Sequence, residues 1–113
     1  MTELREVVIC SPLRTPVGRF GGSLATVSAL SLATRVIEEL IDRTGLDGAH
    51  VDDVIFGQGY PSSEAPPIAR VAALDAGLPV TVGGYQLDRR CGSGLQAVID
   101  AGMSLGVYVF SWT

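Results

Sequence analysis

A cysteine surrounded by small residues is the feature of this sequence best suited to covalent chemistry. Cys91 opens the run CGSGLQA (91–97), which follows an extended segment and in which a helix is expected to begin. The N–H groups at a helix start carry partial positive charge, which favours a thiolate over a thiol. Gly92 and Gly94 leave room for a substrate to reach the sulfur. The run therefore predicts a sulfur nucleophile, with the Cys91 backbone N–H as a donor to an oxyanion.

Alternating strands and helices are predicted to position this cysteine. Short apolar runs bounded by Pro or Gly indicate buried strands, and apolar residues at helical spacing indicate amphipathic helices. The predicted strands are 7–10, 54–57 and 82–87, and the predicted helices are about 30–41, 68–76 and the segment after Cys91. This order favours an α/β sheet with right-handed crossovers, in which sites lie beyond the carboxyl ends of the strands. Cys91 follows such a strand end.

Helix ends and faces can also be predicted. Ser28 or Ser31 can cap the first helix, and Gly45 suits its end. The apolar residues of the last helix are expected to face the core; they are Leu95, Val98, Ile99 and Met103. Cys10 is expected to fill the core, and His50 is expected in a surface loop.

Composition excludes several function classes. The chain has 113 residues and a net charge of −4, and its 8 basic residues, all arginines, are scattered, so no nucleic-acid or membrane patch is expected. Two cysteines do not make a disulfide framework. The start MTELRE lacks the pattern of a signal peptide, and no apolar run approaches the ~20 residues that span a bilayer. We expect one cytoplasmic domain. Gly57-Gln58-Gly59 is not a dinucleotide fingerprint, because Ser62 follows where glycine is required.

Three collinear blocks carry a resemblance to a known family. They are VICSPLRTPVGRFGG (8–22), DVIFGQG (53–59) and CGSGLQA (91–97). With these blocks, the chain resembles the N-terminal part of thiolases, the acetyl-CoA acetyltransferases and 3-ketoacyl-CoA thiolases, from about residue 7 to about residue 106. The resemblance implies a thiolase-like N-terminal α/β domain, the βαβαβα start of an αβαβα layered fold. Residues 1–113 are interpreted as an incomplete, truncated domain with a divergent tail at 107–113.

The resemblance also implies a reaction. Cys91 would take an acyl group from acyl-CoA or 3-ketoacyl-CoA as a thioester, and a second CoA substrate would complete the exchange, with no metal or other cofactor. The family pairs this cysteine with a histidine and a second cysteine in its C-terminal half, and neither His50 nor Cys10 matches them. Family members form dimers or tetramers and act in fatty acid metabolism. Asp88 stands where the family commonly has asparagine, and pairing of Asp88 with Arg89 or Arg90 is expected.

Two hypotheses stay open at this point. The chain is either the nucleophile-bearing part of a CoA-dependent acyltransferase, inactive by itself, or a non-catalytic fragment that pairs with other chains. A related β-ketoacyl synthase would also carry a cysteine at such a junction, but the block around RTPVG (14–18) favours a thiolase.

Overall fold

The computed structural model describes residues 6–104, which form three helices and a pair of strands. The elements are α1 (Ala29–Thr44), β1 (Asp53–Gly57), α2 (Ile68–Asp75), β2 (Gly83–Leu87) and α3 (Ser93–Met103), with short 3-10 turns at Gly48–His50 and Arg90–Gly92. The predicted α/β class is confirmed, and each of these five elements was expected from the sequence within a few residues.

The two strands pair in parallel, and α2 is the crossover between them. The register runs from Asp53 opposite Gly83 to Gly57 opposite Leu87, so both strands end side by side. The Gln58 N–H extends the pairing by donating to the Leu87 carbonyl at 2.9 Å. This shared carboxyl end is the edge at which a parallel sheet places ligands and reactive groups.

The first helix has the ends that the sequence predicts. Ser28, one of the two predicted caps, accepts a hydrogen bond from the Ser31 N–H at 3.1 Å. Gly45 ends the helix in the left-handed conformation, with φ 66°, and its N–H donates to the Ile41 carbonyl at 3.0 Å. Ala33 and Ile37 are fully buried, as their spacing indicated. Local capping chemistry therefore determines where α1 begins and ends.

The core lies between β1 and the helices packed around it. The middle of β1 is buried, and the small residues of α2 pack against α1 and the strands; the buried residues of these two elements are Val54, Ile55, Phe56, Ile68, Ala69, Ala72 and Ala73. Gly84 allows the backbone of α2 to approach β2 closely, since a Cβ added at Gly84 would lie 3.0 Å from the Arg70 nitrogen. Arg70 also ties α2 to the segment just before β2 by donating to the carbonyls of Val80, at 2.9 Å, and Val82.

The predicted strand at 7–10 is wrong for this structure. Residues 6–18 have no regular secondary structure, and Val8 and Ile9 are 72% and 81% exposed. Cys10 is exposed too, which corrects its expected place in the core. A strand needs a neighbour that accepts and donates its backbone hydrogen bonds, and the sheet within residues 6–104 pairs β1 and β2 only. The apolar run therefore forms no strand.

The face that α3 presents to the core also differs from the prediction. Ser93, Gly94 and Ala97 are buried, whereas Leu95, Ile99 and Met103 are 68%, 46% and 77% exposed. Val98 is half-buried. The reason is close packing: small residues let the first turn of α3 lie against the backbone of β1, a separation that large side chains would prevent. The sequence correctly predicted an apolar stripe along α3, but the stripe faces away from the core rather than toward it.

Among residues 6–104, no helix is both long and apolar enough to cross a bilayer. The predicted tail at 107–113 lies outside the described residues.

Candidate active site

Cys91 lies in the 3-10 turn that connects the end of β2 to the start of α3. The structure thus places it at the strand–helix junction expected from the sequence. Its side chain is exposed and forms no disulfide. The shared carboxyl end of the two parallel strands is immediately adjacent, because the turn follows Leu87 by only a few residues. A thiol in this position can be reached by a substrate from solvent.

Hydrogen bonds hold the turn in one conformation. The Arg89 N–H donates to the Ser93 hydroxyl oxygen at 2.8 Å, and that hydroxyl donates to the Arg90 carbonyl at 2.7 Å. The Gly92 N–H donates to the Arg89 carbonyl at 2.9 Å, and the Ser93 N–H donates to the Arg90 carbonyl. Ser93 is 4% exposed, so its hydroxyl makes these hydrogen bonds away from solvent. The Cys91 N–H is not a donor in any of these bonds.

Arg90 adopts a left-handed backbone conformation at this sharp turn. Its φ is 47°, a region that costs a residue with a side chain about 1–3 kcal/mol. Asp88 compensates from two directions: it accepts from the Arg90 N–H at 2.8 Å and forms an ion pair with the Arg90 guanidinium. The predicted pairing of Asp88 with a neighbouring arginine is confirmed, and the partner is Arg90.

The Arg90 side chain also anchors the turn to the loop after β1. Its guanidinium donates to the Gly59 carbonyl at 2.7 Å and lies 5.6 Å from the centre of the Tyr60 ring. A cation over an aromatic face contributes about 0.5–1 kcal/mol at an exposed site. These contacts connect the segment before Cys91 to the neighbouring strand end, so the loop that follows β1 and the turn that follows β2 form one surface.

Close backbone contact fixes the start of α3 beneath the turn. A Cβ added at Gly57 would lie 2.5 Å from the Gly94 nitrogen and 2.7 Å from the Ser93 carbonyl oxygen. Only glycine allows the end of β1 to approach the helix so closely. Gly57 therefore determines how near the helix start, and with it the cysteine turn, lies to the sheet.

A chain of polar side chains connects this turn to the outer side of α3 and β2. Arg89 donates to the Gln96 side-chain oxygen, and the Gln96 amide donates to Asp100 at 2.8 Å. The Tyr85 hydroxyl donates to the other Asp100 oxygen at 3.1 Å. Partial burial raises the pKa of Tyr85, and the Asp100 hydrogen bond and charge raise it further. These side-chain hydrogen bonds were not predicted from the sequence, where their only signal was the helical spacing of Gln96 and Asp100.

The other predicted residues lie apart from these contacts. His50 is exposed at the end of the turn Gly48–His50, as expected for a surface residue. In the part of the chain that the structure describes, neither His50 nor Cys10 forms a hydrogen bond with Cys91, and no group of three His, Cys, Asp or Glu side chains could hold a metal ion. A cavity of about 610 Å³ lies between residues 13–25 and α1, and Cys91 does not line it.

Comparisons with known proteins agree on one family. The model of the thiolase N-terminal domain matches residues 7–107. An acetyl-CoA acetyltransferase of Pseudomonas aeruginosa is 46% identical over 95 residues, which are 84% of this chain and 24% of that protein. An acetyl-CoA acetyltransferase of Escherichia coli K12 is 40% identical over 102 residues, 90% of this chain and 26% of that protein.

A solved structure shows the same likeness in three dimensions. The crystal structure of the Bacillus anthracis acetyl-CoA acetyltransferase matches with a TM-score of 0.79 and 41% identity, over 84% of this chain and 24% of that one. The chain thus spans about a quarter of the length of the relatives it matches. By sequence and by structure, the chain belongs to the thiolase family, whose N-terminal domain it matches.

Proposed function

We propose that Cys91 is the acyl-accepting nucleophile of a CoA-dependent acyltransferase of the thiolase type. The observation that carries this proposal is the placement of Cys91: an exposed thiol in a hydrogen-bonded turn at the carboxyl end of a parallel strand pair. The names of the relatives support acyl-CoA as the substrate class. The chain contributes the nucleophile, and the proposal assigns the remaining proton-transfer groups to the part of the family fold that the relatives have beyond this match.

The acylation step uses groups that the structure describes. The Cys91 thiolate attacks the carbonyl carbon of the acyl thioester, a new carbon–sulfur bond forms, and the carbonyl electrons move to oxygen. The Cys91 N–H, which the turn does not use, is a suitable donor to that oxyanion. When the tetrahedral intermediate collapses, the bond to the CoA sulfur breaks, and CoA leaves as a thiolate that then takes a proton.

The second half of the reaction returns the acyl group to a CoA substrate. An α-carbanion of a second acyl-CoA attacks the acyl-cysteine in the synthetic direction, which forms a 3-ketoacyl-CoA and regenerates the thiolate. In the degradative direction, the thiolate attacks the keto carbon of a 3-ketoacyl-CoA, a carbon–carbon bond breaks, and acetyl-CoA leaves as a carbanion that takes a proton. The sulfur of CoA then attacks the acyl-cysteine, which forms a new acyl-CoA and regenerates the Cys91 thiolate. Neither direction oxidises or reduces a substrate, so the proposal requires only CoA and its thioesters. It also carries over the cytoplasmic setting expected from the composition and the dimer or tetramer expected from the family resemblance.

The two cysteines provide a matched pair for testing this proposal. Both are exposed and both are free, so Cys91→Ser and Cys10→Ser remove comparable thiols. Each variant is mixed with acetyl-CoA, with and without the remaining part of the Pseudomonas aeruginosa relative, and released CoA is measured. With the remaining part present, we expect release of at least one CoA per chain from the original chain and from Cys10→Ser, and none from Cys91→Ser. Equal release from all three would overturn the proposal.

A second candidate function rests on the exposed apolar side chains. Leu95, Ile99 and Met103 form an exposed stripe along α3, and stripes of this kind often contact another polypeptide. In this second candidate function, the chain binds another polypeptide and catalyses no reaction. Sedimentation of the purified chain tests it: concentration-dependent association that Ile99→Gln reduces would support pairing, whereas a monomer with a sharp melting transition argues against it.

A further inference from the structure

We infer that Asp100 is a positioning residue for Cys91, acting through Gln96 and Arg89. This inference rests on the proposed role of Cys91 as a nucleophile and adds a set of residues that hold it in place. The polar chain Tyr85–Asp100–Gln96–Arg89, called the brace below, runs from β2 across the outer side of α3 to the cysteine turn. Its members hold Cys91 from outside and do not touch the reacting atoms.

The direction of every hydrogen bond in the brace is determined by Arg89. A guanidinium can only donate, so the Gln96 oxygen must face Arg89 and the Gln96 NH₂ must face Asp100. Asp100 then accepts from Gln96 with one oxygen and from the Tyr85 hydroxyl with the other, at 2.8 and 3.1 Å. An ionised carboxylate is the side chain that can accept on both sides. Replacing it with an amide removes the charge that strengthens both bonds and reverses the direction of the bond to Tyr85, without changing the size of the side chain.

The brace reaches the cysteine turn through the stem of Arg89. A Cβ added at Gly92, the residue after Cys91, would lie 3.8 Å from both the Cγ and the Cδ of Arg89. The stem therefore lies beside Gly92, at the distance where an added Cβ would be in ordinary van der Waals contact with it. The backbone of Arg89 is held as well, because its N–H donates to Ser93 and its carbonyl accepts from Gly92. Moving the Arg89 backbone therefore disturbs the Gly92 N–H, in the peptide group that follows Cys91, and the Ser93 hydroxyl.

The brace also links α3 to β2 through a side-chain hydrogen bond. The first turn of α3 is in close backbone contact with β1 at Gly57, whereas Tyr85 on β2 reaches α3 by a hydrogen bond to Asp100. Cys91 is joined covalently to β2 on one side and to α3 on the other. A change in the position of α3 relative to β2 therefore changes where the sulfur and the Cys91 N–H lie, and small displacements of reacting groups reduce rates strongly.

The test compares acylation of Cys91 in the full chain with alkylation of Cys10 in the same molecule. The variants are Tyr85→Phe, Asp100→Asn and Asp100→Glu, with Asp42→Asn as the control for an exposed helix carboxylate outside the brace. We expect Asp100→Asn to slow transfer of the acetyl group from acetyl-CoA to Cys91 about tenfold. Tyr85→Phe should slow it about threefold, and Asp100→Glu should restore part of the rate. The Cys10 rate with iodoacetamide should stay constant throughout.

A combination of substitutions separates positioning from general loss of stability. Since Gln96 and Asp100 act in series, the chain with Gln96→Ala and Asp100→Asn together should be no slower than the slower single variant. Independent structural effects would add instead, and additive rates would overturn the inference. Circular dichroism identifies any variant that does not fold. If Asp100→Asn does not fold, the acylation rate of Tyr85→Phe, which lacks only the hydroxyl oxygen, decides whether the brace positions Cys91.

Failure of the inference is distinguishable from failure of the proposed function. If the original chain acylates Cys91 and Asp100→Asn does so at the same rate, the brace does not position the cysteine and the inference is wrong. If the original chain does not acylate Cys91 even when mixed with the remaining part of the Pseudomonas aeruginosa relative, the proposed function is wrong, and the ratio of the iodoacetamide rates of Cys91 and Cys10 tests the brace alone. A ratio unchanged by Asp100→Asn would overturn the inference in that case as well.

Discussion

Replacing Gly57 with alanine should displace the start of α3 and with it the cysteine turn. The added Cβ would lie 2.5 Å from the Gly94 nitrogen and 2.7 Å from the Ser93 oxygen. Heavy atoms at optimal contact are about 3.5–4.0 Å apart, so the overlap is about 1 Å. The colliding atoms are helix backbone, which cannot change rotamer. The helix itself must therefore move, and Cys91 must move with it.

The overlap sets the expected size of the effect. Overpacking a well-packed site costs about 1–3 kcal/mol, and the rigid backbone on the other side of this contact favours the upper value, about 3 kcal/mol. For a chain of this size that corresponds to a fall in melting temperature of about 13 °C. The assay is thermal unfolding followed by circular dichroism, combined with the rate at which acetyl-CoA acylates Cys91.

Gly102→Ala is the matched control for this substitution. A Cβ added at Gly102, inside α3, would meet the Val7 Cγ1 at 3.9 Å, an ordinary contact. Alanine in place of glycine within a helix should stabilise the chain by about 0.5–1 kcal/mol. The reasoning would be refuted if Gly57→Ala melted within about 2 °C of the original chain. It would also fail if both variants lost the same stability.

Three further predictions follow from single contacts. Ser93→Ala removes a buried hydroxyl that accepts from the Arg89 N–H and donates to the Arg90 carbonyl. The substitution should lower the free energy of unfolding, measured by urea titration, by about 1–3 kcal/mol. An unchanged free energy of unfolding would contradict the role given to these bonds. Gly45→Ala places a Cβ at φ 66° and should cost about 1 kcal/mol in the same titration, whereas no cost would show that the end of α1 adapts freely. The pKa of Tyr85 is raised above its ordinary value of 10.0, chiefly by partial burial and then by Asp100. Its contribution to stability is therefore complete below pH 10 and is lost as the pH rises through the folded-state pKa; Tyr85→Phe should reduce this alkaline loss, and an identical alkaline unfolding profile would contradict the assignment.

Local patterns predicted most of the elements. The apolar run of β1 and the glycine at the end of α1 act within a few residues, so the sequence alone reveals them. The strand expected at 7–10 failed because a strand depends on a partner, and the described sheet offers none to Val8 and Ile9. The local pattern indicates apolar character but does not show which neighbour will accept the backbone hydrogen bonds.

The site shows the same division between local and distant causes. The position of Cys91 between a strand and a helix, and the pairing of Asp88 with Arg90, involve neighbours in sequence and were predicted. The face of α3 was not, because it depends on the absence of a side chain at Gly57, far away in the chain. The hydrogen bond between Tyr85 and Asp100 likewise depends on how β2 and α3 lie beside one another.

The most direct test of the central claim is to locate the acyl group after reaction with acetyl-CoA. The full chain, alone and mixed with the remaining part of the Pseudomonas aeruginosa relative, is quenched in acid, digested and mapped by mass spectrometry. The account predicts an acetyl thioester on the peptide that contains Cys91 and none on the peptide that contains Cys10, although both thiols are exposed. Equal labelling of the two peptides, or no label on Cys91 under either condition, would contradict it.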